Sequence, residues 1–287
     1  MTVIDVGRMN CLRVVRIDSD ALILEAPGDN SSNVLLPNRN AQPGLELGDQ
    51  IDVFVYSDSQ GRYLATVHPP TAMLGEIAYL KVLEINQTGA FLDWGLPKDL
   101  LLPYSEQKDK LGEGRSCIVF LHKDNHAERV VASQRLKRHI GTTPASYEPG
   151  EEVNITVVKR TDLGYTVVVN HRHWGLLYEN EIFEPLNIGM KTTAWVKKVV
   201  GDGKVDLNLS PPIKQRYSDA SERILFELET AGGFLPLHDK SSPEAIYGRL
   251  EMSKKNFKAG VGKLYKTRKI TLQPDGISLA KAQKDNA

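Results

Sequence analysis

Cysteine is nearly absent. The 287 residues contain two, Cys11 and Cys117, far apart and in no paired spacing, so neither a disulfide framework nor a zinc ribbon is expected. No apolar run reaches the roughly 18 residues that cross a bilayer. The opening Met1-Thr-Val-Ile-Asp-Val-Gly7 has no charged stretch leading into a long apolar one, so it does not read as a secretory signal. No membrane partner and a reducing, cytoplasmic setting are therefore expected. Excess charge is also missing, because 36 Lys+Arg balance 36 Asp+Glu. Taken whole, that balance argues against a polyanionic partner. Hydrophobic residues at 41% and charged residues at 25% exclude disordered, collagen-like and fibrous classes.

The usual marks of catalysis are lacking too. A phosphate-binding loop needs Gly-Lys followed by Ser or Thr, with another glycine five positions before. Here Gly262-Lys263-Leu264 fails at its last residue and Phe257 stands at the first position. His171-x-His173 offers two nitrogen ligands, but no carboxylate or cysteine cluster accompanies it at a recognisable spacing. No catalytic residue, cofactor or metal is expected, and the chain reads as non-catalytic.

What the sequence does contain is a repeat. Gly75 and Gly114 are 39 residues apart, as are Gly150 and Gly189, and each pair is followed by a short strand ending in serine, Val130–Ser133 and Val205–Ser210. Gly7, Gly48 and Tyr63–Thr66 form a fainter first copy with about two extra residues. Within a copy, apolar and polar residues alternate between turns, as in half-buried antiparallel strands. In the second copy, strands are predicted at Ile77–Ile85, Ala90–Trp94, Leu100–Leu102, Ser116–His122 and Val130–Ser133, with turns at Thr88-Gly89 and Asp124-Asn125. Five short strands in about 60 residues suit the oligonucleotide/oligosaccharide-binding (OB) barrel. Linkers fall at 68–71, 141–146 and Pro211-Pro212.

The period changes after Pro212. Tyr217, Ala220, Ser221, Ile224, Leu225 and Leu228 recur at helical spacing, predicting a helix of about four turns that stops at Gly232-Gly233. A second helix opens at Ser242-Pro243-Glu244 and a third at Ser253, with Phe257, Val261 and Leu264 on one face. Lys269–Leu272, a Gln273-Pro-Asp-Gly276 turn and Ile277–Leu279 predict a hairpin. The fold class is therefore mainly β: three tandem five-stranded OB barrels (1–67, 68–140 and 141–212) followed by an α+β winged-helix domain (213–287).

Divided this way, the neutral total separates. The segments carry 5 basic and 9 acidic side chains, then 10 and 9, 7 and 9, and finally 14 and 9. Positive charge gathers at the C-terminal end, where attraction to phosphates would be strongest. On the third helix, Lys255, Lys258 and Lys266 lie opposite the apolar face and share their side with Ala259 and Gly262, small residues that let a phosphate backbone come close. Lys254, Lys263, Arg268 and Lys269 flank them. In the barrels, exposed aromatic rings would stack unpaired bases. The candidates are Phe91, Trp94 and Tyr104 in the second copy, and Tyr165, Trp174 and Tyr178 in the third, with His171, Arg172 and His173 nearby. Phe91 and Trp94, three apart, cannot share a strand face, so one of them is expected to be buried. Tyr165 and Tyr178 are expected at the surface, since a hydroxyl-bearing ring tolerates water at one edge.

Asn86-Gln-Thr-Gly89-Ala-Phe91-Leu-Asp-Trp-Gly, followed by Leu101-Leu-Pro-Tyr-Ser105-Glu106, resembles the core of the ribosomal protein S-one RNA-binding domain. Trp174-Gly-Leu-Leu-Tyr178-Glu-Asn-Glu181 is a looser match that puts Tyr178 where that family often has a base-contacting histidine. Three such domains and a C-terminal winged helix together are similar to the conserved virulence factor B family of bacterial RNA-binding regulators. There are departures from the pattern. The first copy lacks the Gly-Ala-Phe core, and Thr88 and Leu163 stand at the first aromatic position. Pro103 replaces the histidine, Thr166 takes the Phe position, and Tyr165 is displaced by one residue, which in a strand turns a side chain to the other face. Single-stranded RNA is the expected partner, bound through the third barrel and the basic winged helix where the charge split and the candidate rings and lysines place it; the resemblance implies a role in gene regulation that includes virulence-factor expression. A DNA-binding transcription regulator and a protein–protein adaptor are the alternatives.

Overall fold

The structure is a computed structural model. It describes residues 4–280 except 59, 125–126, 180–181, 183–184, 202, 212–219 and 251. The chain separates into two compact units, residues 1–209 and 210–287.

The first unit holds three five-stranded barrels. Barrel one comprises β1 (Met9–Ile17), β2 (Ala21–Ala26), β3 (Asp29–Pro37), β4 (Gln50–Ser57) and β5 (Tyr63–Thr66). Barrel two comprises β6 (Ile77–Ile85), β7 (Gly89–Asp93), β8 (Leu100–Pro103), β9 (Ser116–Lys123) and β10 (Val130–Ser133). Barrel three comprises β11 (Glu152–Thr161), β12 (Gly164–Val169), β13 (His173–Tyr178), β14 (Lys191–Val199) and β15 (Val205–Asn208). Barrels one and three close through a parallel pairing of their third and fifth strands. Barrel two has the same strand order, with that last ladder unpaired. The strands predicted for the second copy agree with those observed to within one residue at either end.

The repeated glycines have a geometric cause. In each copy the first glycine N–H donates to a carbonyl of the fourth strand: Gly7 to Val55 (2.7 Å), Gly75 to Leu121 (2.8 Å) and Gly150 to Val196 (2.7 Å). The N–H of that same fourth-strand residue donates back to the residue after the glycine. The second glycine makes the matching clasp on the first strand, Gly48 to Val14, Gly114 to Val82 and Gly189 to Val157, each at 2.8 Å. All six glycines have φ between 77° and 95°, the left-handed region that costs a side-chain-bearing residue about 1–2 kcal/mol. Directly after Val14, Val82 and Val157 the first strand carries a bulge against the second. The first half of that strand pairs with strand four and its second half with strand two, so the bulge lets one long strand bend around the barrel.

The barrels pack in series. Phe54 and Tyr56 of barrel one join the core of barrel two, with Phe54 edge-on to Trp94 at 5.8 Å. Between barrels two and three, Ile77, Leu136, Ile140 and Val168 form a buried cluster, and the Ile77 N–H donates to His171 Nδ1 at 3.0 Å.

The second unit contains α1 (Ala220–Thr230), β16 (Phe234–Leu235), α2 (Pro243–Leu250), α3 (Lys254–Lys266), β17 (Ile270–Gln273) and β18 (Gly276–Leu279), the strands ordered β16-β18-β17. This is the winged-helix plan. The described first helix has three turns rather than four, and the predicted Tyr217 and Pro212 lie outside the described residues. Ser242 and Ser253 cap α2 and α3 as their positions predict, accepting from the N–H groups of Ala245 and Asn256 at 3.2 Å each. Phe257, Val261 and Leu264 are buried, and Gly260 sits where a side chain would strike Ile224 and the α1 backbone. Among the described residues, no helix is long and apolar enough to cross a membrane.

Gly114→Ala and Gly189→Ala are expected to separate the two costs of the clasp. At Gly114 a methyl group meets open space and only the φ strain is felt, about 1–2 kcal/mol. At Gly189 the methyl also lies 2.4 Å from the Tyr79 ring, so the loss is larger. Urea unfolding checks the order, and equal losses would mean that the contact with Tyr79 relaxes freely.

Candidate nucleic-acid interface

Alternation along β13 decides which side chains face outward. His173, Gly175 and Leu177 are buried, whereas Trp174, Leu176 and Tyr178 are half-buried on the outer face. Thr166 of β12 lies opposite Leu176, and Val168 opposite Trp174. Around this face runs an open groove of about 690 Å³. Its floor is Thr166, Trp174 and Leu176, its rim carries Lys137, Lys159 and Lys204, and Leu163 of the β11–β12 turn stands beside it. The strand-two and strand-three surface of an OB barrel, with the flanking turns between its first and second and its fourth and fifth strands (here β11–β12 and β14–β15), is where oligonucleotides bind. Asp162 is the acidic residue of the lining. Trp174 is held by its indole N–H, which donates to the Ile140 carbonyl at 3.1 Å.

The other predicted residues divide. Tyr178 continues the outer row of β13, with its hydroxyl 3.3 Å from Asp206 Oδ1 and Lys197 over its ring at 5.7 Å. Tyr165 does not reach the surface. It is 3% exposed in the barrel core, opposite Leu177, and its hydroxyl oxygen accepts from the Leu186 N–H at 3.3 Å. The reason is strand parity, since the one-residue displacement points the ring inward. His173 is likewise buried, its Nδ1 2.8 Å from the Tyr147 hydroxyl and its Nε2 3.2 Å from the Thr143 hydroxyl. His171 is drawn into the junction with barrel two, where burial lowers the pKa of its imidazole. The His171-x-His173 pair is thus split between a junction and a core. Arg172, between them, is exposed.

In barrel two, Trp94 is buried and Phe91 half-buried, as the three-residue spacing requires. Phe91 lies opposite Leu101 and faces a smaller cavity of about 220 Å³ lined also by Tyr56 and Lys98. The Lys98 ammonium donates to the Ser57 carbonyl at 2.8 Å, and burial lowers its pKa. Tyr104 is exposed, its hydroxyl donating to the Asn86 carbonyl at 2.7 Å. Cys117 is buried, which pushes its thiol up to about 11 and leaves it unreactive at neutral pH.

On α3, Lys255, Lys258, Lys263 and Lys266 are exposed, as are Arg268 and Lys269 beyond it. Lys254 is half-buried, donating to the Ser241 carbonyl at 2.8 Å, and Lys258 stands 4.0 Å from Asp239. Ala259 and Gly262 are exposed among them, and so is Tyr265, seven residues after Lys258 and on its side of the helix. Sequence reading missed Tyr265 together with Lys137, Lys159 and Lys204. Lys258–Tyr265 spacing was a legible signal. The three groove lysines come from separate segments, and only the folded barrel collects them.

Comparison with known proteins bears on the same modules. The S1 domain family model matches residues 6–68 and 74–135, and the CvfB-like winged helix domain model matches residues 222–279. The first barrel is matched although it lacks the Gly-Ala-Phe core. The chain is 26% identical to conserved virulence factor B of Staphylococcus saprophyticus over 96% of this chain and 94% of that one. It is 28% identical to protein YitL of Bacillus subtilis over 84% of each. A solved multidomain protein with nucleic acid binding domains from Streptococcus pneumoniae aligns over 96% of this chain and 98% of its own, at 22% identity and a TM-score of 0.41.

Tyr165→Phe is expected to cost about 1 kcal/mol of stability, the worth of a hydrogen bond, and to leave oligonucleotide affinity unchanged. Urea unfolding paired with fluorescence anisotropy checks this. Lost affinity at full stability would put the ring in the interface after all.

Proposed function

This chain belongs to the conserved virulence factor B family, and from that premise we propose that it is a non-catalytic, cytoplasmic, single-stranded RNA-binding protein that regulates gene expression after transcription. The observation that carries the reading is the groove on barrel three, where Trp174 and three lysines surround the OB binding face. A flat ring to stack a base, worth on the order of 1–3 kcal/mol, and ammonium groups spaced along a rim to meet phosphates are what an unpaired strand requires.

Four modules, 1–67, 68–140, 141–212 and 213–287, divide the work in this proposal. The third barrel and, as a separate site, the basic face of α3 carry most of the binding, Phe91 and Tyr104 of the second barrel assist, and the acidic first barrel contributes least. Tethered weak sites raise one another's effective concentration, so none needs to bind tightly alone. Expression of virulence factors is the downstream role that the family name suggests.

Replacing Lys137, Lys159 and Lys204 together with Gln is expected to weaken binding to oligouridylate. It should also reduce the slope of log affinity against log salt by about 2, since each phosphate contact on a single strand contributes roughly 0.7. The Lys255, Lys258 and Lys266 triple should act in the same direction. Anisotropy titrations against oligouridylate, oligoadenylate and duplex DNA at one salt concentration test the class of ligand. Preference for the duplex would favour a DNA regulator reading through α3, and no binding to any of the three would favour an adaptor.

A further inference from the structure

Glu106, His122 and His139 come from three separate segments: the 3-10 turn Tyr104–Glu106 after β8, the end of β9, and the residue closing the 3-10 turn Leu136–Arg138. One nitrogen or oxygen atom from each lies within 4.8 Å of the others. We propose that these three side chains bind a divalent cation of the zinc class.

The state of the ring nitrogens carries the argument. His122 Nδ1 is 2.9 Å from the Lys123 carbonyl oxygen. A carbonyl can only accept, so Nδ1 bears the proton and Nε2 keeps its lone pair. A backbone carbonyl orienting the far nitrogen in this way is the usual support of a metal-binding histidine. Nε2 of His122 is buried without a hydrogen-bond partner, and so is Nε2 of His139. Two orphaned ring nitrogens in one place are costly, and such groups normally have an occupant to satisfy them.

The surroundings hold the rings in place. His139 is stacked between Phe120 (4.6 Å, 10°) and His122 (4.8 Å, 28°). Glu106 is oriented by the Ser133 hydroxyl, which donates to Oε2 at 2.6 Å, and by Arg138, which donates to Oε1 at 3.3 Å.

Two imidazoles and one carboxylate suit Zn²⁺, Co²⁺ or Ni²⁺ and not Mg²⁺ or Ca²⁺, which select oxygen ligands. Bond lengths of about 2.0–2.2 Å set tetrahedral ligand separations of roughly 3.4 Å. Binding therefore requires side-chain rotation that draws the ligands together by about an ångström and a half and turns the stacked imidazoles so that their in-plane lone pairs converge on the ion. Three protein ligands leave a fourth position for water. The site escapes a sequence search because its members are 16 and 17 residues apart, outside every short ligand spacing. A bound ion would fasten the 136–140 connection to barrel two, next to Ile140, on whose carbonyl Trp174 depends.

The test uses the full chain, stripped with a chelator and titrated near neutral pH with Zn²⁺ by calorimetry and with Co²⁺ by its visible d–d absorption. One equivalent should bind, and Zn²⁺ should raise the unfolding temperature. His139→Gln and Glu106→Gln should each weaken Zn²⁺ binding by at least about 10-fold, while His68→Gln, remote in the chain, should leave it unchanged. Circular dichroism confirms that each variant is folded. Absence of stoichiometric binding by the unaltered chain would overturn the proposal without reference to any variant. So would binding that survives His122→Gln and His139→Gln combined, which would mark the ion as held elsewhere.

Discussion

Each barrel depends on one strand serving two partners. The first strand pairs with the fourth along its leading half and with the second along its trailing half, and it can do so only if it bends sharply between them. The bend is the bulge after Val14, Val82 and Val157, and the clasp made by Gly48, Gly114 and Gly189 grips the residue just before it. Only a residue without a side chain occupies φ near +85° cheaply. The glycines recur because the hydrogen bonds that close a small barrel recur at the same place in the chain.

Once the bulge sets the parity of the first strand, the facing of every other side chain follows. The outward row of strands two and three is Ile23 with Leu35 in barrel one, Phe91 with Leu101 in barrel two, and Thr166 with Leu176 in barrel three. These are the same position three times over, yet they have become three different surfaces. In barrel two the row looks toward Tyr56 and Lys98 across a narrow cavity at the junction with barrel one. In barrel three it opens into the groove of about 690 Å³, and barrel two contributes Lys137 to its rim. Serial packing has therefore made the face of barrel three a composite of two modules.

Much of this was legible in the order of residues. Strand positions in the second copy follow from alternation and turn residues, the caps at Ser242 and Ser253 follow from local hydrogen-bonding chemistry, and the burial of Trp94 against Phe91 follows from their spacing. Tyr165 shows where that legibility stops. Its hydroxyl favours a surface position and its one-residue displacement favours the core. The displacement wins because the barrel interior offers the ring a large apolar contact and the Leu186 N–H offers the hydroxyl a partner. Between them, His171 and His173 looked like neighbours with one purpose. The left-handed turn at Asn170 and His171 instead sends one ring to the junction and the other to the core.

The sequence alone determined the properties that act over a few residues: three glycine-paired barrels, a capped winged helix, and a charge balance that divides into an acidic start and a basic end. Period, capping and backbone conformation are local interactions, so they are written in adjacent residues. Tertiary structure decided which residues became neighbours across the chain. It brought Lys137, Lys159 and Lys204 to one groove around Trp174, and it placed Glu106, His122 and His139, all half-buried, within reach of one another. Those groupings arise from the closure of each barrel and the packing of one barrel on the next, and no spacing along the chain records them.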